Sequence, residues 1–342
     1  MPSNSIAFAR NYTAVIDEVY QRAGVSGVLN SGRRMVRAGH NAKEIMIPKI
    51  SVSGLGDYTR DQGYKTGSIN LEFQTRQMNY DRGIKITADV MDVAESGVED
   101  CFFEAGAELQ RCHVAPEADA FTFAQIASHD GVTVASEDLS SAAAVDVLAA
   151  LRTVTSAMDE AQVTTGSRIL FITPTLKGVL DDYSYANPAR SNRVLERFSR
   201  IVEVPQVRFY TAIDLLSGDD DQFGYQAAEG SYELTEDTEV DSSKTYYTRS
   251  GSDPNYTYTE VASPVKANLG TYYELLGAGR AINFMVVEKS AVIKFDKHVA
   301  SRVFSPDELE SLDSFMMKYR KYGIVELFDN KLDGVYVSAS TE

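Results

Sequence analysis

The sequence of 342 residues predicts an α+β fold, on three observations. Two stretches, Glu44-Ile45-Met46-Ile47-Pro48-Lys49-Ile50 and Ser68-Ile69-Asn70-Leu71-Glu72-Phe73-Gln74, alternate apolar and polar residues as half-buried strands do. A long helical pattern follows, from about 88 to 128, with a proline, Pro116, in its interior. From residue 281 onward the chain returns to strand character.

Taken in order, residues 1 to 40 predict a short helix, Tyr12 to Ala23, followed by a Gly- and Arg-rich tail, an extended arm more than a compact domain. Arg10, Arg22, Arg33, Arg34, Arg37 and Lys43 make this stretch basic. It reads as an arm across an acidic neighbour or facing nucleic acid, or else as a solvated surface. The two alternating strands form a long hairpin, and the Gly- and polar-rich run from Ser53 to Gly67 is its loose tip.

In the helical pattern, Val98, Cys101, Phe102, Ala105, Leu109 and Cys112 fall at helical spacing upstream of Pro116; Ala120, Phe123, Ala124 and Ala127 do so downstream. Proline removes an N–H and clashes with the preceding turn, so a kink is expected at Pro116. Next, Ser140 or Ser141 caps a helix running to about Ala161, with Ala143, Val147, Leu148, Leu151 and Ala157 inward. Ile169 to Ile172 reads as a buried strand, and Pro174 opens another helix ending near Asp182. A strand at Val207 to Tyr210 and a helix at Ile213 to Leu216 follow.

Residues 217 to 277 carry twelve acidic and three basic residues and are rich in Tyr and Thr. Short alternating runs separated by Gly, Ser, Asp and Pro predict a small antiparallel β unit, read as an insertion. It is expected either to bind and display or simply to solubilise, with Tyr246, Tyr247, Tyr256 and Tyr258 on its display surface. Beyond it, Ala281–Val287 and Ala291–Phe295 are strands, Pro306 opens a short helix, and Ser314–Leu327 pairs with Gly334–Ser338 as a hairpin.

The formal net charge of −16 argues against a general nucleic-acid-binding protein, which needs a basic footprint. No apolar run is long enough to span a bilayer, and the N-terminus lacks a signal-peptide pattern, so no membrane partner is expected. Cys101 and Cys112, eleven residues apart, lie roughly 16 Å apart along a helix and cannot bond to each other there; both are expected to be buried thiols.

The residues do not assemble a catalytic or cofactor motif. Gly277-Ala278-Gly279 has two glycines of a dinucleotide fingerprint but precedes a strand instead of following one. Asp219-Asp220-Asp221 reads as a solvated loop or as oxygen ligands for a divalent cation. His40, His113, His129 and His298 have no ligand spacing. The chain is therefore expected to be no enzyme, with neither cofactor nor metal.

The proline-broken helix at Pro116-Glu117-Ala118-Asp119-Ala120 resembles the spine helix of tailed-phage major capsid proteins, particularly those of phages of Gram-positive hosts. Further pieces resemble that family in family order: Ser167-Arg168-Ile169-Leu170-Phe171-Ile172-Thr173-Pro174, Ile201-Val202-Glu203-Val204-Pro205 with Arg208-Phe209, Ala281-Ile282-Asn283-Phe284-Met285-Val286-Val287, Arg302-Val303-Phe304-Ser305-Pro306-Asp307, Tyr319-Arg320-Lys321-Tyr322-Gly323 and Asp329-Asn330-Lys331-Leu332-Asp333-Gly334. The resemblance implies the Hong Kong 97-type capsid fold: an arm over 1–43, an E-loop over 44–87, a peripheral-domain spine helix over 88–135, an axial domain over 136–280 with the β insertion 217–277, and strands over 281–342 completing both domains. The implied function is an icosahedral shell around phage double-stranded DNA, made and assembled in a host cytoplasm and ending in the virion.

The implied partners are further copies of the chain, as pentamers and hexamers, together with a portal and the packaged duplex. Because the chain begins almost directly at the arm, a separate scaffolding protein is also expected. Leu55, Tyr58, Tyr64 and Lys65 would make E-loop contacts between subunits, and Arg33, Arg34 and Arg37 arm contacts. Some members of the fold crosslink subunits through a Lys–Asn bond; Lys65 is the candidate donor here, or else a lysine that keeps the tip soluble. The alternatives are an encapsulin-type compartment of the same fold and, in another class, a β-rich adhesin or a monomeric acidic enzyme.

Overall fold

The computed structural model describes residues 24–30, 37–38, 44–58, 60–61, 63–91, 106–187, 193–241, 244–252, 255–308 and 313–341. The helix expected at 12–23, Arg10, Arg22, Arg33, Arg34, Lys43, His40, Val98, Cys101, Phe102 and Ala105 lie outside them, and of Arg37, Lys297 and His298 only the backbone is described.

In chain order the elements are β1 (Arg37–Ala38), β2 (Glu44–Val52), β3 (Ile69–Gln77), β4 (Tyr80–Asp89), α1 (Ala115–Ala127), β5 (Thr133–Ser136), α2 (Ala144–Glu160), β6 (Arg168–Ile172), α3 (Pro174–Ala186), β7 (Arg200–Glu203) and β8 (Ile213–Leu215). They continue with β9 (Tyr225–Ala227), β10 (Ser231–Leu234), β11 (Tyr247–Ser252), β12 (Asn255–Glu260), β13 (Tyr272–Leu276), β14 (Ile282–Glu288), β15 (Val292–Phe304), β16 (Ser314–Leu327) and β17 (Val335–Ala339). The chain divides into two compact units, Met1–Ala115 with Lys289–Lys331 and Pro116–Glu288 with Leu332–Glu342.

In the first unit the two alternating strands pair as the expected hairpin β2–β3, with Glu44 opposite Gln77 and Val52 opposite Ile69. Its root is anchored: Ile45 and Ile47 are buried with Ile293 and Ile324, against Met78, Phe295 and Phe328. Each such isoleucine contributes about 2 kcal/mol through apolar burial. An Arg76–Asp329 ion pair at 2.9 Å closes the root.

The second sheet of this unit has the order β15-β16-β4. The helix expected from Ala88 therefore begins later. Ile84, Ile86 and Ala88 alternate with exposed Gly83, Lys85 and Thr87, a period of two, and Ala88 pairs with Phe315 inside a strand. Residues 80–87, read as part of the hairpin region, thus belong to this sheet. Ile86, Ala88, Val303 and Phe315 pack around buried Met317 with Leu109 from the helical run at 106–109.

In the second unit the sheet order is β5-β17-β14-β6-β7. β17 pairs antiparallel with β14 and parallel with β5, so it is not the hairpin partner of β16. The two strands were expected to pair because they follow one another; in fact β16 is already flanked by β15 and β4. β6 is buried at every position, as a central strand requires. Leu170, Ile172, Phe284 and Val286 face α2 and α3, which bury Val147, Leu151, Val154, Met158, Leu176 and Leu180. Phe171 faces the other way and meets Phe123 of α1 edge-on at 5.1 Å. Helices thus cover both faces of this sheet.

α2 starts at Ala144 instead of the expected serine cap. The Asp146 carboxylate accepts from the Ala143 N–H at 3.2 Å, while Ser140 closes a turn with Asp138. Ala143 and Ala157, expected inward, are exposed; Ala144, Thr155 and Met158 take the buried stripe. The C-terminal end of α2 is held by Arg168, fully buried, whose guanidinium donates to the carbonyls of Thr155, Val163 and Thr164 and pairs with Asp159 at 2.7 Å. A cation satisfying terminal carbonyls suits that end of the helix dipole. α3 begins at Pro174 as expected and runs to Ala186.

The strand expected at 207–210 is a 3-10 turn, Gln206–Arg208, and the helix expected at 213–216 is strand β8, paired with β9. Four residues are too few to nucleate a helix, whereas a hairpin partner ten residues on satisfies the backbone.

Candidate functional site

Three regions contain the residues singled out in the sequence. The first is the distal half of the β2–β3 hairpin. Ser53 and Ser68 clamp its neck: the Ser53 N–H donates to the Ser68 carbonyl at 3.0 Å and the Ser68 N–H to Ser53 Oγ at 2.7 Å. The tip then closes across itself, with the Tyr58 and Tyr64 rings 4.9 Å apart and Gly63 at a φ of +69°. Leu55, Tyr58, Tyr64 and Lys65 are all exposed. Val52, Ile69, Leu71 and Phe73 are exposed too. The alternation predicts Ile69, Leu71 and Phe73 on the buried side of a half-buried strand, but among the described residues this side of β3 beyond the anchored root has no core against it. Ile69, Leu71 and Phe73 alternate with Asn70, Glu72 and Gln74 and share one face of β3. Among the described residues, seven of the seventeen exposed large hydrophobic side chains fall between 52 and 73. Such concentration lies on a hairpin whose root is anchored in the core.

The second region surrounds Pro116. The helix widens into a π turn at Gln110–Val114, and the Ala115 N–H bonds to the Gln110 carbonyl, five residues back. Wider winding just before the proline eases the clash of its ring with the preceding turn, so the helical run continues through Pro116. α1 is buried nearly all round, so its amphipathic reading fails beyond the proline. Even Glu117 and Asp119 are buried, and Thr122 Oγ1 bonds back to the Ala118 carbonyl. Asp119 pairs with Arg208 at 3.1 Å, and Phe123 meets Phe209 at 4.9 Å. Two motifs noted separately therefore form one joint. The Tyr225 hydroxyl beside it donates to the Val207 carbonyl, and burial pushes its phenol pKa up. Cys112, expected to be buried, is exposed on the π turn, where its thiol donates to Glu108 and is thereby held more protonated.

The third region is the sheet β10-β13-β11-β12 with its stem. The incoming and returning chains meet before the sheet begins: Tyr210 bridges Ala281, the Thr211 N–H donates to the Arg280 carbonyl at 2.9 Å, and the Gly279 N–H to the Ala228 carbonyl at 2.7 Å. A side chain at 279 would collide with the Ala212 carbonyl, which accounts for that glycine without a nucleotide.

Tyr246, assigned to a display surface, is 1% exposed and packs with Leu269 and Tyr272. Its hydroxyl donates to Asp237 at 2.6 Å, and Lys244 bridges Asp237 and Glu274. Burial and the bond to Asp237 push the Tyr246 phenol up; the same bond and Lys244 hold the Asp237 carboxyl below its usual range. A buried phenol needs an acceptor, and Asp237 draws it inward.

Tyr247 and Tyr258 are half-buried in an aromatic cluster, with Tyr232 stacked on Tyr258 at 3.8 Å. Tyr256 alone of the four is exposed, and Arg249 lies over its ring. Asp219–Asp221 form a 3-10 turn in which Ser217 Oγ donates to Asp219, and the described residues contain no cluster with metal-ligand geometry.

Neither a protein-family model nor a curated protein matches the chain. Among solved structures it is similar to the capsid structure of cyanophage P-SCSP1u, at 12% identity over 91% of this chain and 86% of that one, with a TM-score of 0.51. It is also similar to the mature capsid of bacteriophage PhiM1, at 15% identity over 88% and 83%, with a TM-score of 0.49. The α+β fold of this chain is the Hong Kong 97-type capsid fold. No helix among the described residues is long and apolar enough to cross a membrane.

Proposed function

We propose that this chain is a major capsid protein whose copies close into an icosahedral shell around phage double-stranded DNA, without enzymatic activity. The observation that carries this reading is the fold shared with the cyanophage capsid, joined to an anchored hairpin whose distal half presents exposed apolar side chains. In this reading Leu55, Tyr58, Tyr64 and Lys65, with Val52, Ile69, Leu71 and Phe73, lie against a neighbouring copy. The arm residues Arg33, Arg34 and Arg37 add contacts between copies. The four-stranded sheet with Tyr256 stands on the outer surface, where its acidic neighbours keep away from DNA phosphates. The shell is assembled in the host cytoplasm, with the portal as a further partner. The experiment is size-exclusion chromatography and negative-stain microscopy of the purified chain. Pentamers, hexamers or closed particles are expected; a strict monomer at all concentrations overturns the reading.

A further inference from the structure

In a chain of formal charge −16, one sheet face runs against the overall balance. The register of β15-β16-β4 puts Arg302 opposite Lys318 and Lys318 opposite Lys85, so three cations stand in one row across three strands. All three are exposed, on the face opposite the one that packs Met317, Ile86 and Val303. Neighbouring strands lie about 4.8 Å apart, so the row is roughly 10 Å long. Among the described residues none of the three forms an ion pair. The next row shows the contrast: Arg320, two residues along β16, is held by Asp81 at 2.8 Å. The Lys318 ammonium lies 5.0 Å from the Phe304 ring centre, which steadies it without neutralising it.

Like charges directly opposite each other on a sheet cost stability. An uncompensated row of this kind, in an otherwise acidic chain, matches a ligand with closely repeated negative charge. We infer that the solvent face of β15-β16-β4 is a phosphate-binding surface for duplex DNA, with Lys85, Arg302 and Lys318 as its contacts. Charge complementarity selects the occupant: duplex DNA carries one negative charge per about 1.7 Å of axis and is met by a row of cations regardless of sequence. The inference rests on the capsid reading for the duplex as the polyanion present, and it places this face toward the packaged DNA.

The test is anisotropy of a labelled duplex of about 30 base pairs, titrated with the full chain between roughly 20 and 200 mM salt. The variants are Lys85→Gln/Arg302→Gln/Lys318→Gln and the charge-keeping Lys85→Arg/Lys318→Arg. The triple variant should bind at least about tenfold more weakly at low salt, and its salt slope should fall by roughly 2.7, about 0.9 per lost cation. The arginine variant should bind like the parent. Circular dichroism melts confirm that the variants fold. A parent chain that ignores the duplex at the lowest salt, or a triple variant with unchanged slope, overturns the proposal. A triple variant that fails to form particles, beside a parent blind to DNA, assigns the row to a contact between copies and likewise overturns it. Failure of the capsid reading is seen separately, as a parent chain that never forms particles; duplex binding lost in the triple variant would still support this face.

Discussion

The Asp119 carboxylate, 1% exposed, accepts from the Arg208 guanidinium at 3.1 Å, joining residues 89 positions apart in sequence. With Phe123 against Phe209 one turn further along α1, the pair fixes the start of that helix against the turn at Gln206–Arg208. Removing one partner of a buried pair is strongly destabilising, so Arg208→Ala should cost about 3 kcal/mol. Asp119→Asn should cost less, because Arg208 is partly exposed and can turn to water. Urea melts of both variants check the order; equal losses below about 0.5 kcal/mol would show that the pair is screened.

The hairpin tip should matter between molecules and not within one. Leu55→Ser with Tyr64→Ser removes two exposed apolar side chains. The melting temperature should stay within error of the parent, since surface substitutions usually fall within about 0.5 kcal/mol. Particle yield by microscopy should collapse. A drop in melting temperature with normal particles would place these residues in the subunit interior.

Pro116→Ala should leave the subunit folded and its stability equal or raised by up to about 1 kcal/mol, because it restores an N–H and removes the ring clash. The π turn at Gln110–Val114 is then no longer needed, and the course of the helix should change. Particles of altered yield or curvature are the expected result. Normal particles at normal yield would separate the proline from assembly.

The Tyr246–Asp237–Lys244 cluster gives the four-stranded sheet two pH limits. The folded pKa of Asp237 is lowered, so its contribution is present above its unfolded value near 4 and is lost as pH falls through the lower folded value. Those of Tyr246 and Lys244 are raised, so theirs is present below about 10 and is lost as pH rises through the folded values. Hydrogen exchange of peptides covering 235–247 should be slowest between these limits. Tyr246→Phe should accelerate exchange at neutral pH and weaken both limits. Exchange in the parent that ignores pH would show that the cluster does not hold the segment.

Much of the architecture was legible because its physics is local. The alternation in 44–50 and 68–74, the apolar run at 169–172 and Pro174 at the head of α3 each carry their own signal. What the sequence did not reveal depends on distant partners. β16 and β17 look like consecutive strands of one hairpin, yet each is claimed by a different sheet. Tyr246 reads like its neighbour Tyr247, and only the position of Asp237 draws it inward. The hairpin tip was readable from its glycines and aromatics, whereas Asp119–Arg208 required the fold to bring two motifs together. The row Arg302–Lys318–Lys85 needs strand register, which a single sequence leaves open.

The stem at Tyr210–Ala281 has a practical consequence. Because the two chains are already hydrogen-bonded to each other there, everything between Ala228 and Gly279 hangs from a two-rail socket whose ends are one strand spacing apart. A guest polypeptide with adjacent termini, such as an epitope hairpin or a small enzyme, can be spliced into that socket without asking the host to refold. The joint beneath it, Arg208 on Asp119, lies outside the spliced segment and keeps its own contacts.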